Sequence, residues 1–162
     1  MNQRITFIKN KIIFYFNVIP TIQYKIDDIT FVWFNYSMTL YVYDIDAYTL
    51  TLSKSGHQLD YGGFLDDLKE SIDLIFEQEQ LIDYMIERIQ VRSGYTPFLT
   101  QKEDYFLLTW DQYRVEIDYG PYYTMHFYER RQYHHIRQGK FEDIYSFFDD
   151  TMDYLYPPMK RY

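Results

Sequence analysis

Phe106-Leu107-Leu108-Thr109-Trp110 leads through Asp111-Gln112 into Tyr113-Arg114-Val115-Glu116-Ile117-Asp118, and this stretch decides the fold. Its second part alternates with period two. Tyr113, Val115 and Ile117 fall on one face, and Arg114, Glu116 and Asp118 on the other, the pattern of a half-buried strand. Tyr119-Gly120-Pro121 reads as the next turn. Residues 122–128 and 132–137 read as a further hairpin. From 141 to 156 the period changes to that of a helix, with Phe141, Ile144, Phe148, Met152 and Leu155 on its apolar side. Pro157-Pro158 stops it.

Upstream lies a second helical pattern. Leu65, Leu68, Ile72, Ile75 and Phe76 fall at helical spacing, and Ile82, Met85, Ile86 and Ile89 continue it. Gly62-Gly63 reads as the break before it, with Phe64 as its start and Ser93-Gly94 as its stop. One helix, or two meeting near Gln78-Glu79-Gln80, both fit. The first sixty residues read as strand. Ile22, Tyr24 and Ile26 share a face, and residues 31–36 form an apolar run. Leu40 and Val42 lie opposite Tyr41 and Tyr43, and residues 48–52 alternate cleanly. Residues 44–46 and Lys54-Ser55-Gly56 read as turns.

Antiparallel strands on short turns, with helices after each run, are α+β. The expected architecture is β-meander sheets with a central acidic helical segment and a C-terminal helix. A shift of about 75 residues lays Met38, Leu40 and Val42 over Tyr113, Val115 and Ile117, and Tyr48-Thr49-Leu50 over Tyr123-Thr124-Met125. Leu65-Asp66-Asp67-Leu68 then lies over Phe141-Glu142-Asp143-Ile144. This is a βββα pseudo-repeat over 20–93 and 95–160, although any meander followed by a helix resembles itself in this way. No Pro- or Ser-rich linker divides the chain, so residues 1–162 are read as one domain.

Composition narrows the class. Of 162 residues, 20 are Tyr, 13 Phe and 2 Trp, and none is Cys. That excludes disulfides and thiolate metal sites, and so apolar a chain can offset its ordering entropy. AT-rich coding would raise Tyr and Phe, but it would raise Lys and Asn too, and only 8 Lys and 4 Asn are present. No apolar stretch reaches the length of a membrane span, and the N-terminal run 12–19 lacks a signal-peptide cleavage site. A cytoplasmic protein is expected.

The net charge of −8 is concentrated. Residues 60–88 hold nine acidic residues against Lys69 and Arg88. Residues 1–25 hold four basic residues and no acid. The excess disfavours general nucleic-acid binding, and Arg130-Arg131 and Lys160-Arg161 are too short to form a basic stripe. A solvated helix face explains any one of these acids. Together they form a field that steers a basic partner. Tyr41, Tyr43, Tyr61, Tyr119 and Tyr122, placed on outward strand positions or beside turns, offer large stiff contact area. With Asp66, Asp67, Glu70, Asp73 and Glu77 they are the expected partner-binding residues.

No motif carries chemistry. There is no phosphate loop, nucleophile elbow or zincin helix, so neither cofactor, metal nor catalytic residue is assigned. His126 and His134 could approach across the last hairpin. His134 and His135, adjacent on a strand, should face opposite ways and so not share a site. A small His/carboxylate enzyme or metal protein is therefore the alternative of a different class, and a self-associating subunit is another.

The stretch 110–122, the hairpin after it and the acidic helix 141–156 resemble in general style the bacterial immunity proteins of polymorphic toxin systems. No specific motif carries this, so no residue is transferred. The resemblance implies an inhibitor of one cognate toxin, such as a nuclease with a basic surface. A phage-encoded inhibitor of a defence nuclease complex would share the same physics.

Overall fold

At Asp111 the backbone takes a left-handed conformation (φ 48°) and the chain reverses, so that Trp110 pairs with Tyr113. Repeated through the chain, such reversals build two antiparallel meanders. In the computed structural model, which describes residues 2–158, the chain is α+β, with three α-helices and two five-stranded sheets in sequential strand order. Lys160-Arg161 lie outside the described residues.

Two compact units follow one another, Met1–Gln80 and Leu81–Tyr162. The first holds α1 (Asn2–Phe16), β1 (Thr21–Tyr24), β2 (Asp28–Trp33), β3 (Tyr36–Tyr43), β4 (Ala47–Lys54) and β5 (His57–Phe64). A 3-10 turn, Leu65–Asp67, then leads into α2 (Leu68–Ser93). The second holds β6 (Phe98–Gln101), β7 (Tyr105–Trp110), β8 (Tyr113–Tyr119), β9 (Tyr123–Glu129), β10 (Gln132–Gly139) and α3 (Phe141–Leu155).

Each sheet buries one face. In the first unit Phe31, Trp33, Met38, Leu40, Leu50 and Leu52 are covered by Ile5, Ile8 and Ile12 of α1 and by Leu68, Ile72, Ile75 and Phe76 of α2. In the second, Phe106, Leu108, Val115, Ile117, Met125 and Phe127 meet Leu81, Ile82, Met85 and Ile89 of α2 and Ile144, Phe148 and Met152 of α3. Helix α2 is therefore unbroken through Gln78-Glu79-Gln80. Its first half serves one core and its second half the other. Each fully buried aliphatic or Phe side chain contributes about 1.5–3 kcal/mol, which is why these two stripes fix the fold.

Several expectations are corrected. Residues 2–16 are helical. Their Ile5, Ile8 and Ile12 have helical spacing, but in an Ile-rich segment β propensity masked it. The apolar run 31–36 is broken by a turn at Phe34-Asn35, with Phe34 at φ 47°. Strand β1 ends at Tyr24, so Ile26 shares no strand face with it and is fully exposed. Gly62 and Gly63 do not break the chain. They lie in edge strand β5 opposite Thr49 and Tyr48, and the Tyr48 ring packs against Gly63 in place of a side chain. The helix accordingly starts after Phe64. Each meander has five strands where three were expected, and β6 went unread.

The two units share one plan. Trp33 stacks on Tyr36 at 5.2 Å, and Trp110 meets Tyr113 at 5.7 Å. Tyr48 faces Gly63 across strands as Tyr123 faces Gly139. By turn and register, Met38, Leu40 and Val42 correspond to Val115, Ile117 and Tyr119, two residues on from the expected alignment. A slip of two leaves every side chain on its face, so periodicity alone could not detect it.

Among the described residues, one pair of charged groups is buried in the first unit. Lys54 and Glu79 are buried and paired at 2.5 Å, and the Tyr36 hydroxyl donates to the same carboxylate oxygen at 3.1 Å.

Candidate functional site: an acidic aromatic surface

The alternation of β3 that buries Leu40 turns Tyr41 and Tyr43 outward, at 40% and 39% exposure. Their rings stack at 5.8 Å and 19°. Strand pairing then sets Tyr43 beside Ala47 and Ala47 beside Phe64 on the same open face. Phe64 is exposed, and so is Ile45 at the tip of the β3–β4 turn. Two tyrosines, an isoleucine and a phenylalanine thus gather at one end of the first sheet.

Acids border this patch. Asp44 and Asp46 flank Ile45 in the turn, and Asp44 takes a left-handed conformation (φ 56°). The Leu65 amide donates to the Asp46 carbonyl at 2.7 Å, which ties the 3-10 turn carrying Asp66 and Asp67 to this corner. Both are exposed, as is Glu70 one turn later. Further along the open face the surface becomes hydroxylic. Thr30 and Thr39 bond at 2.9 Å, and Thr51 donates to Asp60 at 2.9 Å.

The remaining expected residues lie elsewhere. Tyr61 stands opposite Leu50, on the helix-covered face, and packs against the first core. Asp73 pairs with Lys11 at 2.8 Å. Asp73 and Glu77 lie close enough to Tyr15 to reinforce the upward shift that burial gives its hydroxyl. Tyr119 packs against the second core, and Tyr122 is exposed in the turn before β9. Ile45 and Phe64 are the two residues the sequence reading missed. The Asp-Ile-Asp turn was the available signal for the first. For Phe64 there was none, because it was read as the start of a helix.

The histidines also differ from expectation. A bulge between Tyr133 and His135 places the His134 and His135 rings side by side, with their Nδ1 atoms 3.2 Å apart, because the extra residue cancels the alternation. His126 does not meet His134. It lies opposite Glu116 in β8 and Ile136 in β10, with its Nε2 2.7 Å from Asp118 Oδ2. Glu116, Asp118 and His126 each offer a ligand atom, all within 4.8 Å of one another. Among the described residues this is the group with the donor set for a divalent ion, one imidazole and two carboxylates.

No helix of the described residues is long and apolar enough to cross a membrane. Set against known protein families, curated proteins and solved structures, the chain matches none.

Proposed function

We propose that this chain is a binding protein that inhibits a basic partner, in the manner of an immunity protein or antitoxin, and that it docks through the acidic aromatic end of its first sheet. The observation that carries this reading is the Tyr41–Tyr43 stack beside Phe64 and Ile45 inside a border of Asp44, Asp46, Asp66 and Asp67. Rigid aromatic anchors within a charged rim are the anatomy of a protein-binding surface. The rim would attract a basic partner and raise the association rate, an effect that salt screens.

The test is affinity capture from the native host, followed by binding kinetics on the partner recovered. A stoichiometric partner is expected. Tyr43→Ala with Phe64→Ala should weaken it by at least about 2 kcal/mol through faster dissociation. Asp66→Asn with Asp67→Asn should mainly slow association at low salt. A captured partner that binds the Tyr43/Phe64 variant unchanged would sink the reading.

A second reading rests on the Glu116–Asp118–His126 group, which supports a metal protein. Calorimetric titration with Zn2+ checks it against His126→Ala. Saturable one-site binding lost in the variant supports it, and its absence from the wild type removes it.

A further inference from the structure

At one end of the second sheet, the β7–β8 turn (Asp111-Gln112) and the β9–β10 turn (Arg130-Arg131) lie side by side. The Arg130 amide donates to the Gln112 carbonyl at 2.8 Å, and Arg130 Nε donates to Gln112 Oε1 at 2.7 Å. Between them opens a groove of about 580 Å3, within the range of small-ligand sites. Its walls carry Arg114, Arg130, Arg131, Tyr113, Tyr128 and the single carboxylate Asp111. In a chain of net charge −8, three guanidinium groups against one carboxylate make this groove locally basic.

The first unit has a groove at the matching corner, between Phe34-Asn35 and Ser55-Gly56, where Asn35 donates to Ser55 at 2.7 Å. Through the shared register, Ser37 corresponds to Arg114, Ser55 to Arg130 and Gly56 to Arg131. The scaffold at this corner is thus satisfied by two serines and a glycine. Ser55 and Arg130 are both left-handed, at φ 42° and 51°, but at the next position the first unit has Gly56 at φ 84°, as glycine takes freely, whereas the second holds Arg131 at φ 65°. Consecutive left-handed arginines are strained, at about 1–2 kcal/mol each. Stability does not explain them.

The guanidinium groups are also available. Arg114 lies over the Tyr128 ring at 5.1 Å and donates one long bond, 3.4 Å from Nη2, to Glu116, which leaves its other nitrogens for a ligand. Arg131 makes no hydrogen bond or ion pair among the described residues, and the terminal nitrogens of Arg130 make none. Planar forked donors of this kind match phosphate oxygens. The Arg114–Tyr128 pair offers a flat apolar wall, and Asp111 can accept from a sugar hydroxyl. The geometry points to a binding site for a nucleoside phosphate, held by Arg114, Arg130 and Arg131 and stacked against Tyr128.

The site belongs to the second unit and is independent of the docking surface on the first, so Tyr43→Ala leaves it unchanged. Calorimetry on the full chain, with ADP, pyrophosphate and an oligothymidylate as probes, tests it. ADP should bind at one site with a Kd of about 1 mM or tighter. Arg130→Ser with Arg131→Gly installs the first unit's residues. It should keep or raise Tm while costing at least about tenfold in affinity. Arg114→Ser, in an ordinary strand conformation, should also weaken binding without disturbing the turn. Absence of saturable ADP binding, or affinity unchanged in both variants, overturns the proposal. So does pyrophosphate binding as tightly as ADP, or the oligonucleotide binding more tightly than ADP.

Discussion

The two matching grooves share turns, register and an aromatic Trp-Tyr pair, yet one is lined by Ser37, Ser55 and Gly56 and the other by Arg114, Arg130 and Arg131. The same backbone thus accepts both sets. What differs is what each unit needs its side chains for. In the first unit Lys54 also lines the groove, but it is buried there and its charge is paired with Glu79 at 2.5 Å. The second has Glu129 at the position of Lys54 and places its charges in the open. Outward arginines in strained turns, without an ion pair among the described residues, point to use, whereas a buried paired lysine points to specification of the fold.

The largest expected effect breaks the comparison from the first side. Glu79→Ala strands the Lys54 ammonium inside the core and should cost about 3–5 kcal/mol, while Lys54→Met with Glu79→Leu should be near neutral. Each unit holds one of the two tryptophans, Trp33 and Trp110. Urea titration followed by fluorescence in Trp110→Phe therefore reports the first unit. Next, Gly56→Arg imposes the second unit's turn residue on the first. It should destabilise by about 1–2 kcal/mol in the same measurement. A gain in stability would show that left-handed arginine carries no strain here.

A smaller effect concerns the tryptophans. Trp110 Nε1 donates to the Tyr156 hydroxyl at 3.1 Å, whereas buried Trp33 Nε1 has no hydrogen-bond partner among the described residues. Tyr156→Phe should therefore make the second unit like the first, at a cost of about 1 kcal/mol, read by Trp110 fluorescence in Trp33→Phe.

The smallest effect is pH-dependent. His135 faces Phe127 where the first unit sets Leu59 against Leu52. Burial, then Arg137 and His134, lowers its pKa below the ordinary 6.5. The unfolded chain thus takes up this proton before the folded one does. Stability falls as pH drops through 6.5 and the loss levels off below the folded-state pKa. His135→Leu should flatten the decline of Tm between pH 7.5 and 5.5, and an unchanged slope would remove His135 from the account.

Much of this fold could be read from periodicity. Helix α3, the α2 stripe, the β8 alternation and the turn at Asp111-Gln112 all state their structure locally. What could not be read depended on partners. Helix α1 looked like strand because Ile favours strands, and only the sheet it covers resolves it. The two-residue slip between repeats and the bulge at His134 are matters of register, which a single strand does not record. The candidate surface divides the same way. Tyr41 and Tyr43 followed from the alternation of their own strand, but Tyr61 turns inward only because β5 pairs Tyr61 with Leu50. Phe64 joins the patch through two successive pairings.

Helix α2 closes the first core and opens the second, and this gives the chain a direction in time. As it leaves a ribosome, the finished first sheet still lacks Leu68, Ile72, Ile75 and Phe76, and Lys54 has no counter-charge until Glu79, 25 residues later, emerges. Once that turn of helix has formed, the residues that begin the second unit are already in a nucleated helix, past its costly first step. Synthesis arrested at Phe64 would leave a sheet covered by α1 alone, without the α2 half of its core, and a lysine without Glu79. Synthesis arrested at Ser93 would leave a complete first unit carrying the first helix of the next.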